Sequence, residues 1–143
     1  MLEIREIENE LELKSVLQMC YSVFNEFDHD LENSEIYGYS AWEKRLKNHL
    51  QPMVYAVEDK KIVSAVLGRA ENSDSMVIGI VACDEKYRRR GITKQLMIRF
   101  EEIARKMGYK YITLGSFEDS FYEHCGYNVI FKTHNQNIYQ KIL

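Results

Sequence analysis

The sequence predicts a mixed α/β fold with about six or seven strands and about four helices, and two observations carry that prediction. The first is an early pair of segments rich in apolar and β-branched residues, Met53–Glu58 and Lys61–Ala70, which a turn at Asp59-Lys60 joins as a hairpin. The second is a later succession of an apolar strand, a long amphipathic helix and another strand. Both kinds of unit in one chain are typical of a sheet flanked by helices.

The segment before the hairpin is predicted to begin with a strand and a helix. Leu2–Ile7 alternates apolar and charged residues over most of its length, as a short strand does. Asn9 and Glu12 have the spacing of a helix cap. The apolar residues that follow at helical spacing are Leu13, Val16, Leu17, Cys20 and Phe24. Residues 25–39 show no clear period and are predicted to form a loop.

A second helix is predicted between this loop and the hairpin. Ser40 and Glu43 have the spacing of a capping box, and Pro52 prevents the helix from continuing. Its apolar residues follow at intervals of roughly one turn. They are Trp42, Leu46 and Leu50.

The second half of the chain is predicted to alternate strands and helices. Ser75–Cys83 is a strongly apolar strand, in which Gly79 indicates a bulge or a close approach of two backbones. A long helix begins after Gly91 and ends at Gly108. Its buried stripe consists of Ile92, Leu96, Phe100, Ile103 and Met107. The remaining elements are a strand at Tyr109–Leu114, a short helix at Ser116–Cys125 closed by Gly126, and strands at Tyr127–Phe131 and Ile138–Ile142.

Length, charge and cysteine content narrow the classes of function. The 143 residues show no break in composition, so residues 1–143 are predicted to form a single domain. With 19 basic and 22 acidic residues, the net charge of −3 argues against broad nucleic-acid binding. The chain shows neither an apolar run of the ~20 residues that span a bilayer nor an apolar start, so we expect no membrane partner and no signal peptide. Cys20, Cys83 and Cys125 form an odd set, which favours a reducing, cytoplasmic location.

The loop between the apolar strand and the long helix has features of an anion site. The first N–H groups of a helix lack partners within the helix, and the helix dipole adds partial positive charge there. Gly91 allows a bulky anion to approach the main chain, and Arg88, Arg89, Arg90 and Lys94 surround it with positive charge. A pyrophosphate suits this loop, but a solvated basic turn accounts for the same residues equally well. The loop is neither a P-loop nor a dinucleotide fingerprint, because the residues that define those motifs are missing.

A longer segment around this loop resembles a known family. Val81–Met97, with the sequence VACDEKYRRRGITKQLM, resembles the acetyl-CoA motif of the GNAT N-acetyltransferase superfamily. The family loop is Arg/Gln-x-x-Gly-x-Gly/Ala, and Arg88, Gly91 and Thr93 fall on its three fixed positions, with Thr93 a departure from Gly or Ala. The resemblance implies a GNAT-like acyl-CoA acyltransferase fold, with a mixed, mostly antiparallel central sheet of about six or seven strands flanked by about four helices.

The same resemblance implies acetyl-CoA as a cosubstrate and names the residues that would bind it. The backbone amides from Arg89 to Lys94 would hold the pyrophosphate, and the main chain at the end of the apolar strand would pair with pantetheine as an added strand does. The implied cofactor-binding residues are Val81, Ala82, Cys83, Arg88, Arg89, Arg90, Gly91, Ile92, Thr93 and Lys94.

A second segment, residues 120–127 with the sequence SFYEHCGY, resembles the family's aromatic-Tyr-x-x-x-Gly-aromatic signature. Tyr122 falls on the tyrosine that in the family lies near the sulfur of coenzyme A, where it can protonate the departing thiolate. The thiolate of a thiol with a pKa of about 8.5 is a fair leaving group, so a single proton donor nearby is enough to assist its departure. The resemblance thus implies Tyr122 as a general acid. The alternative is a packing role, which most of the ten tyrosines must have.

The sequence does not identify a general base. Many members of the family carry a Glu on or near the fourth strand, and Met76–Cys83 contains no carboxylate. The candidates in the early loop are Glu26, Asp28, His29, Asp30, Glu32 and Glu35. A solvated acidic loop is the simpler interpretation of this cluster. If the loop lines a pocket, it favours a cationic acceptor such as a polyamine, an aminoglycoside or a lysine side chain.

Two classes of function follow. The first is an N-acetyltransferase in which a primary amine, on a small molecule or a peptide, attacks acetyl-CoA directly in a ternary complex. The second is a non-catalytic acyl-CoA-binding or sensing module on the same fold. An acetyl-cysteine route is disfavoured because Cys125 and His124 are helix neighbours that point apart. The histidines and cysteines lack metal-ligand spacing, so we expect no metal. The resemblance to the family is compatible with a homodimer.

Overall fold

The computed structural model describes residues 1–24, 31–117 and 120–143. Within these ranges the chain forms seven strands, four α-helices and two single turns of 3-10 helix. In chain order the elements are β1 (Glu3–Glu6), α1 (Glu10–Phe24), α2 (Tyr39–Asn48), β2 (Met53–Glu58), β3 (Lys61–Ala70), β4 (Ser75–Cys83), α3 (Ile92–Lys106), β5 (Tyr111–Ser116), α4 (Ser120–His124), β6 (Asn128–Lys132) and β7 (Asn137–Ile142). The 3-10 turns are Leu31–Asn33 and Glu85–Tyr87.

A single seven-stranded sheet lies at the centre, with the strand order β1-β2-β3-β4-β5-β7-β6. Every neighbouring pair is antiparallel except β4 and β5, which are parallel. Helices α3 and α4 pack on one face of the sheet, and α1 and α2 pack on the other. The predicted mixed, mostly antiparallel fold is therefore confirmed. None of the helices in the described ranges combines the length and the apolar character needed to cross a lipid bilayer.

The two N-terminal helices begin in different ways. The cap predicted for α1 is present, since the Glu12 amide donates to Asn9 Oδ1 at 2.9 Å and Asn9 Nδ2 donates to Glu12 Oε1 at 2.9 Å. The cap predicted for α2 at Ser40 is wrong, because the helix begins at Tyr39. There the Gly38 amide bonds the Ser34 carbonyl at 2.8 Å, and a Cβ on Gly38 would lie 2.5 Å from that oxygen. A tight glycine turn, rather than a side-chain cap, sets the start of α2.

Two later boundaries also differ from the prediction. Strand β5 begins at Tyr111 instead of Tyr109, because the Tyr109 amide still closes α3 by donating to the carbonyl of Ala104 at 3.1 Å. Helix α4 begins at Ser120 instead of Ser116, because Ser116 pairs with β7 as the last residue of β5. Within the predicted loop, one turn of 3-10 helix forms after residue 30, and residues 25–30 lie outside the described ranges.

Gly79 lies in a β-bulge of β4, which is one of the two alternatives that the sequence indicated. Ile78 and Ile80 pair with consecutive residues of β3, so Gly79 has no partner between them. A Cβ on Gly79 would lie 3.0 Å from Trp42 and 3.1 Å from Tyr37. The glycine therefore also allows the segment around α2 to approach the strand closely.

The bulge changes which side chains of β4 face each layer of helices. Because successive residues of a strand point to opposite faces, one extra residue reverses the pattern. Ile78, before the bulge, packs in the apolar cluster with α3, whereas Ile80 and Ala82, after it, pack in the cluster with α1. Val81 and Cys83 therefore face the α3 side at the end of the strand.

Candidate functional site

Strands β4 and β5 pair only at their first residues and then separate. The parallel pairing joins Ser75–Val77 to Tyr111–Thr113, and no strand of the described residues pairs with Ile78–Cys83 of β4 on that side. A cleft of about 630 Å³ opens where the strands have separated. Its walls are the end of β4, the turn into α3, helix α4 and the last turn of α1. This volume is that of a small-molecule or cofactor site.

The cleft brings together most of the residues that the sequence singled out. Those that line it are Val81, Cys83, Arg88, Arg89, Gly91, Ile92, Thr93, Lys94 and Tyr122. The Ala82 side chain is instead buried on the α1 face of the sheet, and the Arg90 guanidinium lies over the ring of Tyr87. Both residues were predicted to contribute main-chain groups, and those contributions stay predictions.

The turn into α3 has a backbone shape that suits an anion. Arg89 and Gly91 have positive φ angles of 64° and 75°, on either side of Arg90. The left-handed Gly91 is followed by Ile92, the first right-handed residue of α3, and such a pair gathers successive N–H groups into a concave nest. Within the described part of the chain, none of the amides from Arg89 to Lys94 donates a hydrogen bond. A Cβ on Gly91 would meet no atom within 4 Å, so the space in front of the turn is open.

Side chains on both sides hold this turn in place. Arg88 Nε donates to the carbonyl of Cys83 at 3.3 Å, which connects the turn to the end of β4. The Arg90 guanidinium lies 5.0 Å from the ring centre of Tyr87, within the range of a cation–π contact. The Tyr87 hydroxyl donates to Asp59 Oδ2 at 3.1 Å, and this bond raises the pKa of Tyr87. The tip of the β2–β3 hairpin thus supports the turn, through a tyrosine that the sequence analysis did not select.

The Thr93 hydroxyl forms a hydrogen bond within the protein. Ser64 Oγ donates to the carbonyl of Ala82 at 2.8 Å and lies 3.1 Å from Thr93 Oγ1. A serine hydroxyl carries one proton, so the Thr93 hydroxyl must be the donor to Ser64. Because Ser64 is fully buried, this bond anchors the first turn of α3 to the sheet, while the Thr93 amide stays unpaired. Ser64 was missed by the sequence analysis, since a buried serine in a strand carries no motif.

Tyr122 lies in the part of the cleft that α4 forms, in aromatic surroundings. Its ring centre is 5.1 Å from that of Phe121 and 5.6 Å from that of Tyr139. Burial, and to a smaller extent Cys125 and Tyr139, raises the pKa of Tyr122 to about 12, so the phenol keeps its proton at neutral pH. Among the described residues no side chain or carbonyl bonds its hydroxyl, which leaves that proton for a ligand in the cleft.

A buried ion pair supports the segment that carries Tyr122. Glu101 on α3 is 5% exposed and accepts from Lys141 Nζ at 2.9 Å and from the Tyr127 hydroxyl at 2.9 Å. The same Lys141 ammonium donates to the carbonyl of Cys125 at 2.9 Å. These bonds attach the end of α4 to α3 and β7. The sequence analysis missed this network, for which the only local signal is a carboxylate on the buried face of α3.

Two sequence-based hypotheses about substrate chemistry have different outcomes. Four candidates of the acidic loop, Glu26, Asp28, His29 and Asp30, lie outside the described residues. Glu32 and Glu35 are exposed, and neither is among the described residues that line the cleft. The cationic acceptor therefore stays a prediction. The acetyl-cysteine route remains disfavoured, because burial raises the pKa of Cys125 and opposes formation of a thiolate.

The last turn of α1 contributes an apolar part of the cleft wall that the sequence did not predict. Val23 and Phe24 line the cleft there, and both are half-buried. The α1 contribution shows that the cleft reaches through the opened sheet from the α3 side to the α1 side.

Comparison with known proteins identifies the family. Residues 12–127 match the sequence model described as the acetyltransferase (GNAT) family. A comparison with curated proteins finds no significant match. The fold resembles that of the PaiA N-acetyltransferase from Thermoplasma acidophilum in complex with coenzyme A, at 17% identity and a TM-score of 0.83, covering 100% of this chain and 99% of that one.

Two further solved structures share the fold. An acetyltransferase from Streptococcus agalactiae 2603 has 22% identity and a TM-score of 0.76, with 99% of this chain and 98% of that chain covered. N-acetylglutamate synthase from Neisseria gonorrhoeae, complexed with coenzyme A and N-acetyl-glutamate, has 13% identity and a TM-score of 0.74, with 100% and 35% covered. Since the family match spans most of the chain, on a fold shared along its whole length, this protein belongs to the acetyltransferase (GNAT) family.

Proposed function

We propose that this protein transfers the acetyl group of acetyl-CoA to a primary amine by direct attack in a ternary complex, with Tyr122 as the general acid. The observation that carries the proposal is that one cleft contains both unpaired amides at the start of α3 and a protonated phenol on α4. Family membership supports acetyl transfer, and the coenzyme A in the Thermoplasma and Neisseria structures supports the cosubstrate. The proposal keeps the expected cytoplasmic location and the small-molecule or peptide acceptor.

The cosubstrate would bind mainly through the main chain. The amides from Arg89 to Lys94 would donate to the pyrophosphate, and the side chains of Arg88 and Lys94 would add positive charge beside it. The unpaired edge of β4, Ile78–Cys83, offers main-chain donors and acceptors to the amide groups of pantetheine, which can extend a sheet as a strand would. The thioester would then lie near the bulge and Tyr122.

Proton balance defines what Tyr122 must do. The amine nitrogen bonds to the thioester carbonyl carbon, the C–S bond breaks, and the amine proton must in the end reach the sulfur. A phenol with a pKa of about 12 is a weaker acid than a thiol with a pKa of about 8.5. Tyr122 therefore stabilises the thiolate by hydrogen bonding and passes on its proton only as the nitrogen's proton returns to it through water. The phenol acts as a relay and is unchanged after each turnover.

A turnover screen tests the proposal. Acetyl-CoA is incubated with a panel of polyamines, aminoglycosides, lysine peptides and amino acids, and thiol release is measured. With an active amine, we expect Tyr122→Phe to lower kcat about 100-fold without changing the Kd for acetyl-CoA, because the acid acts only in the chemical step. Tyr139→Phe is the matched control, since Tyr139 packs against Tyr122 in the same aromatic cluster.

Two results would contradict the proposal in different ways. A wild-type kcat in Tyr122→Phe would remove the general acid while leaving acetyl transfer intact. A folded protein that binds acetyl-CoA but turns over no amine would instead identify the acyl-CoA-binding or sensing module.

A further inference from the structure

A row of paired residues crosses the sheet at the point where β4 and β5 separate. The pairings run from Arg69 in β3 to Val77 in β4, then to Thr113 in β5 and Gln140 in β7. Directly paired residues on neighbouring strands point to the same face of the sheet. Val77 and Thr113 form the last pair before the two strands separate, so the row lies beside the point of separation, although none of its four residues is among the described residues that line the cleft.

This row lies on the face opposite α3. A Cβ on Gly68 would lie 2.8 Å from Phe100 of α3, so Gly68 faces that helix. Arg69 is the next residue along the strand and therefore points to the α1 and α2 side. If acetyl-CoA enters from the start of α3, an amine must reach the thioester from the other side of the sheet, where Arg69 lies.

The Arg69 guanidinium is incompletely paired in the free protein. Its Nη1 atom lies 3.4 Å from Glu71 Oε2, a weak contact with a half-exposed carboxylate. Its Nε atom is buried and has no hydrogen-bond partner among the described residues. Buried donors in proteins are nearly always paired, so an unpaired one calls for a missing partner. The side chain is 30% exposed, so a ligand can reach the outer edge of the guanidinium.

A second guanidinium adds positive charge beside the first. Arg45 on α2 donates to the Ile36 carbonyl at 2.6 Å and lies 4.5 Å from the ring centre of Trp42. Burial, and after it the nearby charge of Arg69, lowers the pKa of Arg45. Among the described residues Arg69 pairs with Glu71, whereas Arg45 pairs with no carboxylate, so the two neighbouring guanidiniums carry more positive charge than Glu71 offsets. An anionic group on a ligand would offset that charge.

We propose that Arg69 binds a carboxylate of the acceptor, so that the substrate is an amine that carries a carboxylate, such as an amino acid or a peptide with a free C-terminus. This inference rests on the proposed function and deepens it. A guanidinium pairs with a carboxylate through two parallel hydrogen bonds, and a small rotation that brings Nε to the ligand would also satisfy the donor that lacks a partner. Arg45 stabilises the bound anion by its charge.

Matched pairs of amines test the inference. The KM is measured for glycine, β-alanine, 4-aminobutyrate and 6-aminohexanoate, for their uncharged amides, and for one peptide with a free or an amidated C-terminus. We expect the preferred carboxylate to have a KM about 10- to 100-fold below that of its amide, because one charged hydrogen-bonding group distinguishes them. If the small amines show this difference in KM, the acceptor is a free amino acid. If the peptide shows it, the acceptor is a peptide C-terminus.

Variants of Arg69 complete the test. Arg69→Met is expected to raise the KM for the carboxylate about 10- to 100-fold, and to leave the KM for the amide and the Kd for acetyl-CoA unchanged. Arg69→Lys restores part of the difference, because it keeps the charge but not the paired hydrogen bonds. Arg105→Met is the control, since Arg105 is an exposed arginine in the last turn of α3.

Three results would overturn the inference. Equal KM values for acids and amides would show that no carboxylate is recognised. A rise of every KM in Arg69→Met, together with a lower melting temperature, would show a purely structural arginine. In both cases turnover itself would leave the proposed function standing, whereas the absence of turnover with any amine would overturn both.

Discussion

The two ends of the cleft use different kinds of chemical group. At the start of α3 the donors are main-chain amides from Arg89 to Lys94, and their arrangement depends on the positive φ angles of Arg89 and Gly91. At α4 the donor is one side-chain hydroxyl, that of Tyr122, and its position depends on aromatic packing and on bonds made by Glu101. Backbone shape thus controls one end and side-chain packing the other. Cofactor binding and proton transfer should therefore be separable by mutation.

The largest effect is expected at the backbone end. Gly91→Glu places a carboxylate in the open space before the turn, where it repels the phosphates and competes for the amides. We expect the affinity for acetyl-CoA to fall about 100-fold, measured by isothermal titration calorimetry. Gly108→Glu is the matched control, because Gly108 also has a positive φ, of 95°, with no atom near its Cβ position, at the other end of α3. Equal affinities in the two variants would contradict the assigned role of the turn.

A smaller effect, of a different kind, is expected at the packing end. Lys141→Met removes the bonds to Glu101 and to the carbonyl of Cys125, and so loosens the end of α4 behind Tyr122. We expect kcat to fall about 10-fold, with the Kd for acetyl-CoA unchanged, because only the acid is displaced.

Stability has to be followed in the same experiment. Breaking a buried ion pair costs about 3–5 kcal/mol, so circular dichroism must show that the Lys141→Met variant is folded. Tyr127→Phe keeps the ion pair and removes a single bond to Glu101, which provides a milder second variant. A parallel loss of cofactor affinity and kcat in these folded variants would show that the two ends are not separable.

The smallest effect is expected for Thr93, and it should change the stability of the protein without changing cofactor binding. Thr93→Ala restores a residue type usual in the family, removes a hydroxyl that donates to Ser64, and keeps the amide. We expect the free energy of unfolding to fall by about 1 kcal/mol in urea denaturation, with unchanged acetyl-CoA affinity. A double-mutant cycle with Ser64→Ala should give a coupling energy of about the same size. Tighter acetyl-CoA binding by Thr93→Ala would mean that the threonine disturbs the phosphate site instead of anchoring it.

The same contrast accounts for what could be predicted from the sequence. The turn into α3 depends on consecutive residues, and a glycine among arginines before a periodic helix is visible without the fold. The predicted bulge at Gly79 is also a local feature, because a glycine inside an apolar strand is typical of a bulge or of a close backbone approach. The cap predicted at Ser40 failed because a contact of Gly38 with Ser34 determined the start of α2 instead.

The supporting residues could not be predicted, because their partners are distant in the chain. Ser64 lies 29 residues from Thr93, and Glu101 lies 40 residues from Lys141, so only the folded sheet brings them together. The same holds for Arg69, which the strand pairings place in the row of residues where β4 and β5 separate. A buried serine or glutamate, or a partly buried arginine on a strand, has no spacing in the sequence that distinguishes it from a surface residue.

A crystal structure with bound coenzyme A would show where the phosphates and the sulfur lie. We expect pyrophosphate oxygens to accept hydrogen bonds of about 3 Å from the amides between Arg89 and Lys94, and the sulfur to lie within reach of the Tyr122 hydroxyl. Phosphates bound elsewhere on the molecule, with the turn before α3 closed to them, would contradict this expectation.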